Sequence, residues 1–256
     1  MTFQNKKPLI LITNDDGDNA PGIDTLTKLM LQIGEVVVMA PDGPRSGQSN
    51  ALTFTQPVRF KLLEKKENLT RYSCTGTPTD CVKLALHEVL DRKPDLLVSG
   101  INHGSNAAIN IIYSGTMGAV LEGAENSILS IGLSVCDHAL DTDFSPFEPY
   151  ILQICKKAIN EGLPYGVSLN VNCPIGEVKG IKIARQCQGN WTKEYEKRID
   201  PRGGDYYWLT GKFNNHEPEA NDTDEWALAN GYISIVPSNI DMTDYDTLQT
   251  IKDWKI

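Results

Sequence analysis

Two adjacent carboxylates follow the first apolar run of the chain. Residues 8–13 (PLILIT) read as a buried strand, and Asn14-Asp15-Asp16-Gly17 comes directly after them. Carboxylates this close together repel each other unless a cation lies between or beside them. Their oxygen atoms suit hard divalent ions such as Mg²⁺ and Mn²⁺. A bare pair of aspartates is more often a solvated turn, so a metal site needs support from other parts of the chain.

Two further polar loops could supply oxygen ligands, and each follows a predicted strand. Ser46 lies in the Gly- and Pro-rich loop 41–51, and Asn102 opens the loop that follows residues 95–101 (DLLVSGI). Glycines in these loops allow the backbone to approach a ligand closely. Taken alone, each segment is an ordinary polar turn. Their position after strands is what makes them candidates.

An anion site is indicated just before a predicted helix at residues 116–127. Ser114, Gly115 and Thr116 stand at its start, where hydroxyl and unpaired N–H groups can receive a negatively charged group. A plain Ser/Thr cap would give the same local pattern. Combined with the two carboxylates and the amide side chains, however, the segment predicts a hard metal ion beside a phosphate.

The elements that must position these loops alternate between strand and helix patterns. Strands are predicted at residues 8–13, 35–40, 58–63, 71–75, 95–101, 128–136 and 167–171, and helices at 23–33, 77–90, 116–127 and 146–160. This alternation predicts an α/β fold: a Rossmann-like, mostly parallel sheet with helices on both faces. Ligands bind such sheets beyond the carboxyl ends of the strands, so the polar loops are expected to gather at one edge.

The character of the sequence changes after about residue 180. Residues 186–237 are polar, contain three of the four tryptophans, and have strand-like pieces at 206–209 and 232–236. We interpret residues 1–185 as a Rossmann-like catalytic domain that binds metal and phosphate. Residues 186–256 are then an oligomerisation arm with a C-terminal strand and helix. The alternative interpretation is that this polar segment is a flexible insertion.

Composition excludes several classes of partner. The net charge is −9, with 33 acidic and 24 basic residues, so binding to a nucleic acid polymer is not expected. No apolar run reaches the roughly 18 residues of a membrane span. The first residues do not resemble a signal peptide, and the six scattered cysteines read as reduced thiols, so we expect a cytoplasmic protein.

Several motifs in order carry a resemblance to a known family. ILITNDDG is followed by the Ser-Gly of loop 41–51, then by LLVSGINHGSN and YSGTMGA. In this order and spacing they closely resemble the SurE family, the stationary-phase survival nucleotidases. GTPTDCVKLAL, the DPRG of residues 200–203 and the YYW of residues 206–208 extend the resemblance over nearly the whole chain.

The resemblance implies a divalent-metal-dependent phosphatase that hydrolyses nucleoside monophosphates, with 5′-nucleotides expected and 3′-nucleotides open. It implies Mg²⁺ or Mn²⁺ as cofactor, with Ca²⁺ a further occupant in crystals. The fold would carry a C-terminal hairpin and helix exchanged between subunits of a homodimer or homotetramer. By resemblance the metal ligands are Asp15, Asp16, Ser46 and Asn102, of which Asp15 and Asp16 are the catalytic residues. The phosphate-binding residues are Asn106, Ser114, Gly115 and Thr116.

Two other functions remain open at this point. Asp16-Gly17-Asp18 has the D-x-D spacing of an aspartyl-phosphate phosphatase, although Ala20 stands where Thr or Val is usual. A non-catalytic nucleotide or metal sensor could use the same fold. The general acid for the leaving group is not evident. His103 is a candidate by position, but an ordinary loop histidine is the more frequent case.

Overall fold

The computed structural model describes residues 7–139 and 141–254. Its strands are β1 (Leu9–Thr13), β2 (Glu35–Pro41), β3 (Phe60–Lys66), β4 (Leu69–Cys74), β5 (Leu96–His103), β6 (Ser130–Val135), β7 (Val167–Cys173), β8 (Gly180–Ile183), β9 (Gly189–Thr192), β10 (Tyr195–Ile199), β11 (Asp205–Leu209), β12 (Lys212–Asn215) and β13 (Tyr232–Asn239). Its α-helices are α1 (Pro21–Met30), α2 (Pro78–Leu84), α3 (Gly115–Glu125), α4 (Glu148–Glu161), α5 (Asp224–Ala229) and α6 (Tyr245–Ile251). A π-helical segment at Ala85–Val89 continues α2, and a 3₁₀ segment at Ala108–Ile112 precedes α3.

A nine-stranded sheet runs through the molecule in the order β3-β4-β2-β1-β5-β6-β7-β13-β8. The six strands from β4 to β7 are mutually parallel. β3 is antiparallel to β4, and β13 is antiparallel to β7. The predicted mostly parallel α/β sheet is therefore confirmed. The carboxyl ends of β1, β2, β5 and β6 lie at one edge, together with the polar loops that follow them.

The first strand shows why its sequence is continuously apolar. Ile10 and Ile12 pack into the cluster formed with α1 and α4, whereas Leu9 and Leu11 pack into the cluster formed with α2 and α3. Helices thus cover both faces of the sheet, and neither side of β1 meets water. Full burial of a Leu or Ile side chain contributes about 1.5–3 kcal/mol, so β1 is a rigid support for the aspartates that follow it.

Two helices begin where the sequence predicts them. The Thr77 side chain accepts a hydrogen bond from the Asp80 N–H, and the Asp80 side chain accepts one from the Thr77 N–H, so α2 opens with a capping box. Ser114 caps α3 by accepting from the Met117 N–H at 3.0 Å. These caps satisfy backbone donors that a helix start leaves unpaired.

Strand β5 differs from the sequence prediction, which ended it at residue 101. The pairing of β5 with β6 shifts register between Ser99 and Asn102 and then resumes, with Asn102 opposite Ser134. Gly100, with φ of 137°, permits this irregularity because it has no side chain. Asn102 therefore stands on a strand and not in a flexible loop, which fixes its position relative to β1.

The chain after β8 contains both an exposed hairpin and a strand of the main sheet. β10 and β11 pair antiparallel, and all ten of their residues are exposed. β13 returns to the nine-stranded sheet between β7 and β8. The division at residues 185 and 186 stays a prediction. Among the described residues, no helix has the length and apolar character needed to span a membrane, and all six cysteines are free thiols.

Candidate metal and phosphate site

Asp15 is a buried carboxylate at the end of β1. Its side chain accepts a 2.5 Å hydrogen bond at Oδ1 from the Thr116 hydroxyl, and the residue is 3% exposed. Burial raises the pKa of Asp15 to about 6; the Thr116 hydrogen bond opposes this rise, and the charge of Asp16 adds to it. An ionised carboxylate at this position is costly unless a cation compensates its charge.

The turn that presents Asp15 and Asp16 is fixed by Asn14. Asn14 is fully buried, its Nδ2 donates to the Gly17 carbonyl at 2.9 Å, and its Oδ1 accepts from the Gly17 N–H at 3.2 Å. This amide clamp spans the two aspartates between Asn14 and Gly17. Gly17 has φ of 105°, a conformation that favours glycine. The sequence Asn-Asp-Asp-Gly therefore encodes the presentation of the carboxylates as well as their charge.

Asp16, which follows β1, contacts His103 of the neighbouring strand β5, the residue directly after Asn102. The Asp16 Oδ2 atom lies 3.4 Å from the backbone N of His103 and 3.5 Å from its Nδ1. The Asn102 Nδ2 donates to the Gly104 carbonyl at 2.8 Å, which leaves Oδ1 without a donor among the described residues. An amide oxygen held in this way is available as a metal ligand.

Ser46 is brought near the site through its neighbour. The backbone N–H of Arg45 donates to the carbonyl of Asp15 at 2.7 Å, so loop 41–51 is attached to the aspartate turn. Ser46 itself is exposed and makes no hydrogen bond to a described residue. The structure anchors the loop at Asp15 and leaves the Ser46 hydroxyl free.

The amino end of α3 approaches Asp15 very closely. A Cβ atom on Gly115 would lie 2.9 Å from the Asp15 Cβ and 3.0 Å from its Oδ2, so only glycine fits here. Ser114 accepts from Met117 but retains its own O–H as a donor. The N–H groups of the first helical turn have no partner within the helix and carry partial positive charge. The helix thus presents donors beside a carboxylate pair.

Asn106 is buried, as are the other predicted phosphate contacts. It is 6% exposed, and its Nδ2 donates to the Ser134 Oγ at 2.7 Å. Thr116 also departs from the simplest assignment, because its hydroxyl donates to Asp15 and its backbone also helps to lower the pKa of that carboxylate.

His103 is held against the site by packing. Its ring meets Phe144 edge to face with centroids 5.4 Å apart, and its Nε2 is buried without a hydrogen-bond partner among the described residues. Asp18, the second residue of the D-x-D alternative, is 7% exposed and accepts from the Asn19 side chain at 2.7 Å. The Asp18 carboxylate thus bonds within its own turn, while its backbone N–H donates to the Pro41 carbonyl and its carbonyl accepts from Arg71.

The donor set fits a hard divalent cation. Asp15 supplies negative charge from a buried position and Asp16 from a partly buried one, and Asn102 supplies an amide oxygen that accepts no hydrogen bond from a described residue. Over the described residues, no three or more His, Cys, Asp or Glu side chains form a potential metal cluster. Two carboxylates completed by amide and hydroxyl oxygens do not need such a cluster, and oxygen donors are the ones that Mg²⁺ and Mn²⁺ prefer.

Sequence reasoning missed two sets of polar residues that hold the segment around Asn106, a predicted phosphate contact. Asn170, Asn172 and Ser134 contact Asn106, and their signal was present as polar residues at alternate positions of buried strands. Asp224 is 1% exposed and accepts from the N–H groups of Ala108, at 2.8 Å, and Cys187, at 2.9 Å. Burial raises the pKa of Asp224. Asp224 joins the segment after Asn106 to the start of the arm.

Comparison with known proteins identifies the family of this chain. Residues 10–193 match the model of the family described as Survival protein SurE. A protein of Phocaeicola vulgatus named 5′-nucleotidase SurE is 50% identical over 255 residues, which cover 99% of each chain. A protein of Bacteroides fragilis with the same name is 52% identical, and the match covers 99% of this chain and 100% of that protein. The crystal structure of the SurE protein from Aquifex aeolicus matches with a TM-score of 0.82 and 38% identity, covering 96% of this chain and 98% of that one. The chain therefore belongs to the SurE family of survival proteins.

Proposed function

We propose that this chain is a metal-dependent 5′-nucleotidase, which hydrolyses nucleoside monophosphates to a nucleoside and phosphate. The observation that carries the proposal is the buried Asp15 beside Asp16, packed against the amino end of α3 at Gly115. Full-length relatives named 5′-nucleotidase SurE support the same activity. Membership of the family also implies a divalent metal in general terms.

The metal site is assigned to oxygen atoms of four residues: Asp15, Asp16, Ser46 and Asn102. Mg²⁺ and Mn²⁺ are the proposed ions, because hard oxygen donors make up the whole set. When bound, the cation supplies Lewis acidity that activates water and offsets the charge of the phosphoryl oxygens. Thr116 keeps Asp15 oriented and favours its ionised form through the hydrogen bond to Oδ1.

The phosphoryl group is assigned to donors at and near the amino end of α3. Ser114 offers its O–H, and Gly115 and Thr116 offer backbone N–H groups. Asn106 offers the side-chain N–H that Ser134 does not occupy. Donors fixed in advance stabilise charge that develops in the transition state, at a few kcal/mol for each donor. Catalysis by these residues thus depends on positioning and does not require a covalent phosphoenzyme.

We also propose that the protein acts as a homodimer or homotetramer through residues 186–256, in the cytoplasm. The β10–β11 hairpin carries three exposed apolar side chains: Ile199 is 75% exposed, Leu209 70% and Trp208 63%. Apolar side chains gathered on a projecting hairpin favour contact with another subunit. Helix α6 buries none of its residues within the chain, which also fits an exchanged element.

The proposed function is tested by release of phosphate from 5′- and 3′-nucleoside monophosphates with Mg²⁺ or Mn²⁺. We expect turnover that excess chelator abolishes, and that Asp16→Asn lowers by three orders of magnitude or more. Asp18→Asn is the matched control in the same turn and should retain most of the activity. Loss of activity in Asp18→Asn with a phosphoaspartate trapped at Asp16 would support the aspartyl-phosphate mechanism. Nucleotide binding without phosphate release would support the sensor.

A further inference from the structure

Four polar side chains form a buried cluster beside the candidate site. Ser134 lies on β6, Asn170 and Asn172 lie on β7, and Asn106 lies in the segment between β5 and α3. Ser134 is 1% exposed, Asn170 2%, Asn172 0% and Asn106 6%. Such burial of amide groups inside a sheet is unusual, because strands buried on both faces are typically apolar.

The hydrogen bonds of the cluster converge on Asn106. Its backbone N–H donates to Asn172 Oδ1 at 2.8 Å, and its carbonyl accepts from Asn170 Nδ2 at 2.8 Å. Its side-chain Nδ2 donates to Ser134 Oγ at 2.7 Å. Asn172 Nδ2 donates in turn to Asn170 Oδ1 at 2.9 Å, which holds the two amides in one orientation. Both backbone groups and the side-chain amide of Asn106 are therefore fixed by three residues.

The register of the sheet places this cluster next to the proposed metal ligands. Ser134 pairs with Asn102 of β5 on one side and with Asn172 of β7 on the other. Buried polar groups contribute little net stability compared with well-packed apolar ones, but a fully bonded network specifies a single geometry. Apolar residues could fill β6 and β7 at these positions, so the arrangement is better explained by its effect on Asn106.

We propose that Ser134, Asn170 and Asn172 are positioning residues that orient the side-chain amide of Asn106 toward the phosphoryl group of the substrate. The proposal rests on the proposed function, in which Asn106 is itself a phosphate contact. With one N–H of Nδ2 held by Ser134, the direction of the other N–H is set before substrate arrives. Orientation in advance removes an ordering cost from binding and from the transition state.

The test removes one oxygen atom from the cluster by Ser134→Ala. We expect the KM for a nucleoside monophosphate and the inhibition constant of inorganic phosphate to rise together, roughly three- to tenfold, as for loss of a hydrogen bond. Ser134→Thr keeps the acceptor and should restore most of the phosphate affinity. Ser130→Ala is the matched control: Ser130 is fully buried on the same face of β6, and its Oγ bonds only to the Ile128 carbonyl.

A double-mutant cycle separates positioning from general destabilisation. If Ser134 acts through Asn106, Ser134→Ala should cause no further change in phosphate inhibition when placed in an Asn106→Ala background. Independent, additive losses would overturn the positioning role, as would a Ser134→Ala variant with unchanged KM and phosphate inhibition. If Asn106→Ala itself leaves both constants unchanged while turnover persists, the phosphate contact and the positioning role both fall, but the nucleotidase assignment stands.

Discussion

The hydroxyl of Thr116 donates a 2.5 Å hydrogen bond to Oδ1 of Asp15, across 101 positions of sequence. This contact joins the first turn of α3 to the end of β1. The absence of a side chain at Gly115 lets the helix come close enough to make it. The ionisation of Asp15 therefore depends on how α3 packs against β1, and the site can be tested through either element.

Thr116→Val should move the acidic limb of the pH–activity profile to higher pH. The Thr116 hydrogen bond lowers the pKa of Asp15, so its removal raises that pKa and leaves less of the ionised carboxylate at a given pH. We expect a shift of about one pH unit, which corresponds to loss of a hydrogen bond to a charged group. The measurement is kcat/KM between pH 5 and 9 at constant metal concentration. Thr116→Ser keeps the hydroxyl and should follow the parent profile; a shift in both variants would contradict the explanation.

Asp15→Asn should stabilise the metal-free protein at neutral pH while abolishing activity. Because burial raises the pKa of Asp15 from 3.8 to about 6, the parent protein loses stability as the pH rises through that interval. A rise of this size corresponds to about 3 kcal/mol in the free energy of unfolding above pH 7. The gain of the variant should disappear below about pH 4, where Asp15 is protonated in both folded and unfolded states. Urea unfolding of both proteins in excess chelator at several pH values measures this difference in the free energy of unfolding.

The exposed Asp143 provides a control, because its pKa is shifted in the opposite direction to that of Asp15. Hydrogen bonds from Ser145 lower the pKa of Asp143, so its contribution to stability is present at neutral pH and is lost as the pH falls through the folded-state pKa. Asp143→Asn should therefore not stabilise the protein at pH 7. A gain of equal size in both variants would show that net charge, and not the burial of Asp15, is responsible.

Gly115→Ala should impair turnover more than stability. The added Cβ would lie within 3.0 Å of the Asp15 side chain, so either the carboxylate or the start of α3 must move. Alanine is otherwise favourable in a helix, which limits the loss in thermal stability. Gly43→Ala is the matched control in the neighbouring loop, because a Cβ there meets no atom within 4 Å. Measurement of kcat and of the melting temperature in both variants checks this; full activity of Gly115→Ala would show that the close approach is not needed.

Shortening the arm should dissociate the proposed oligomer and leave the chain folded. Thr192 of β9 and Lys212 of β12 are paired directly, so an Asn-Gly turn can replace residues 193–211 and close a short hairpin. This deletion spares β13, which the nine-stranded sheet requires. Light scattering should report a smaller particle than the parent protein, whereas Arg198→Ala, an exposed polar change in β10, should not alter its size. An unchanged particle after the deletion would remove the arm from the interface.

The sequence by itself determined those features that depend on local pattern. Continuous apolar runs such as residues 8–13 indicated buried parallel strands, and the Thr77 and Ser114 caps marked the starts of α2 and α3. The motif at residues 14–17 and its companions indicated the family and the chemical type of the site. These inferences hold because side-chain period, capping and ligand chemistry are properties of short segments.

Only the tertiary structure decided which side chains come into contact and how their pKa values are shifted. The contact of Thr116 with Asp15, the placement of Asn102 on β5, and the convergence of Ser134, Asn170 and Asn172 on Asn106 all join residues from different strands and helices. The raised pKa of Asp15 likewise follows from its burial, which no local window of sequence contains. Such relationships depend on sheet order and register, and these are set by packing across the whole chain.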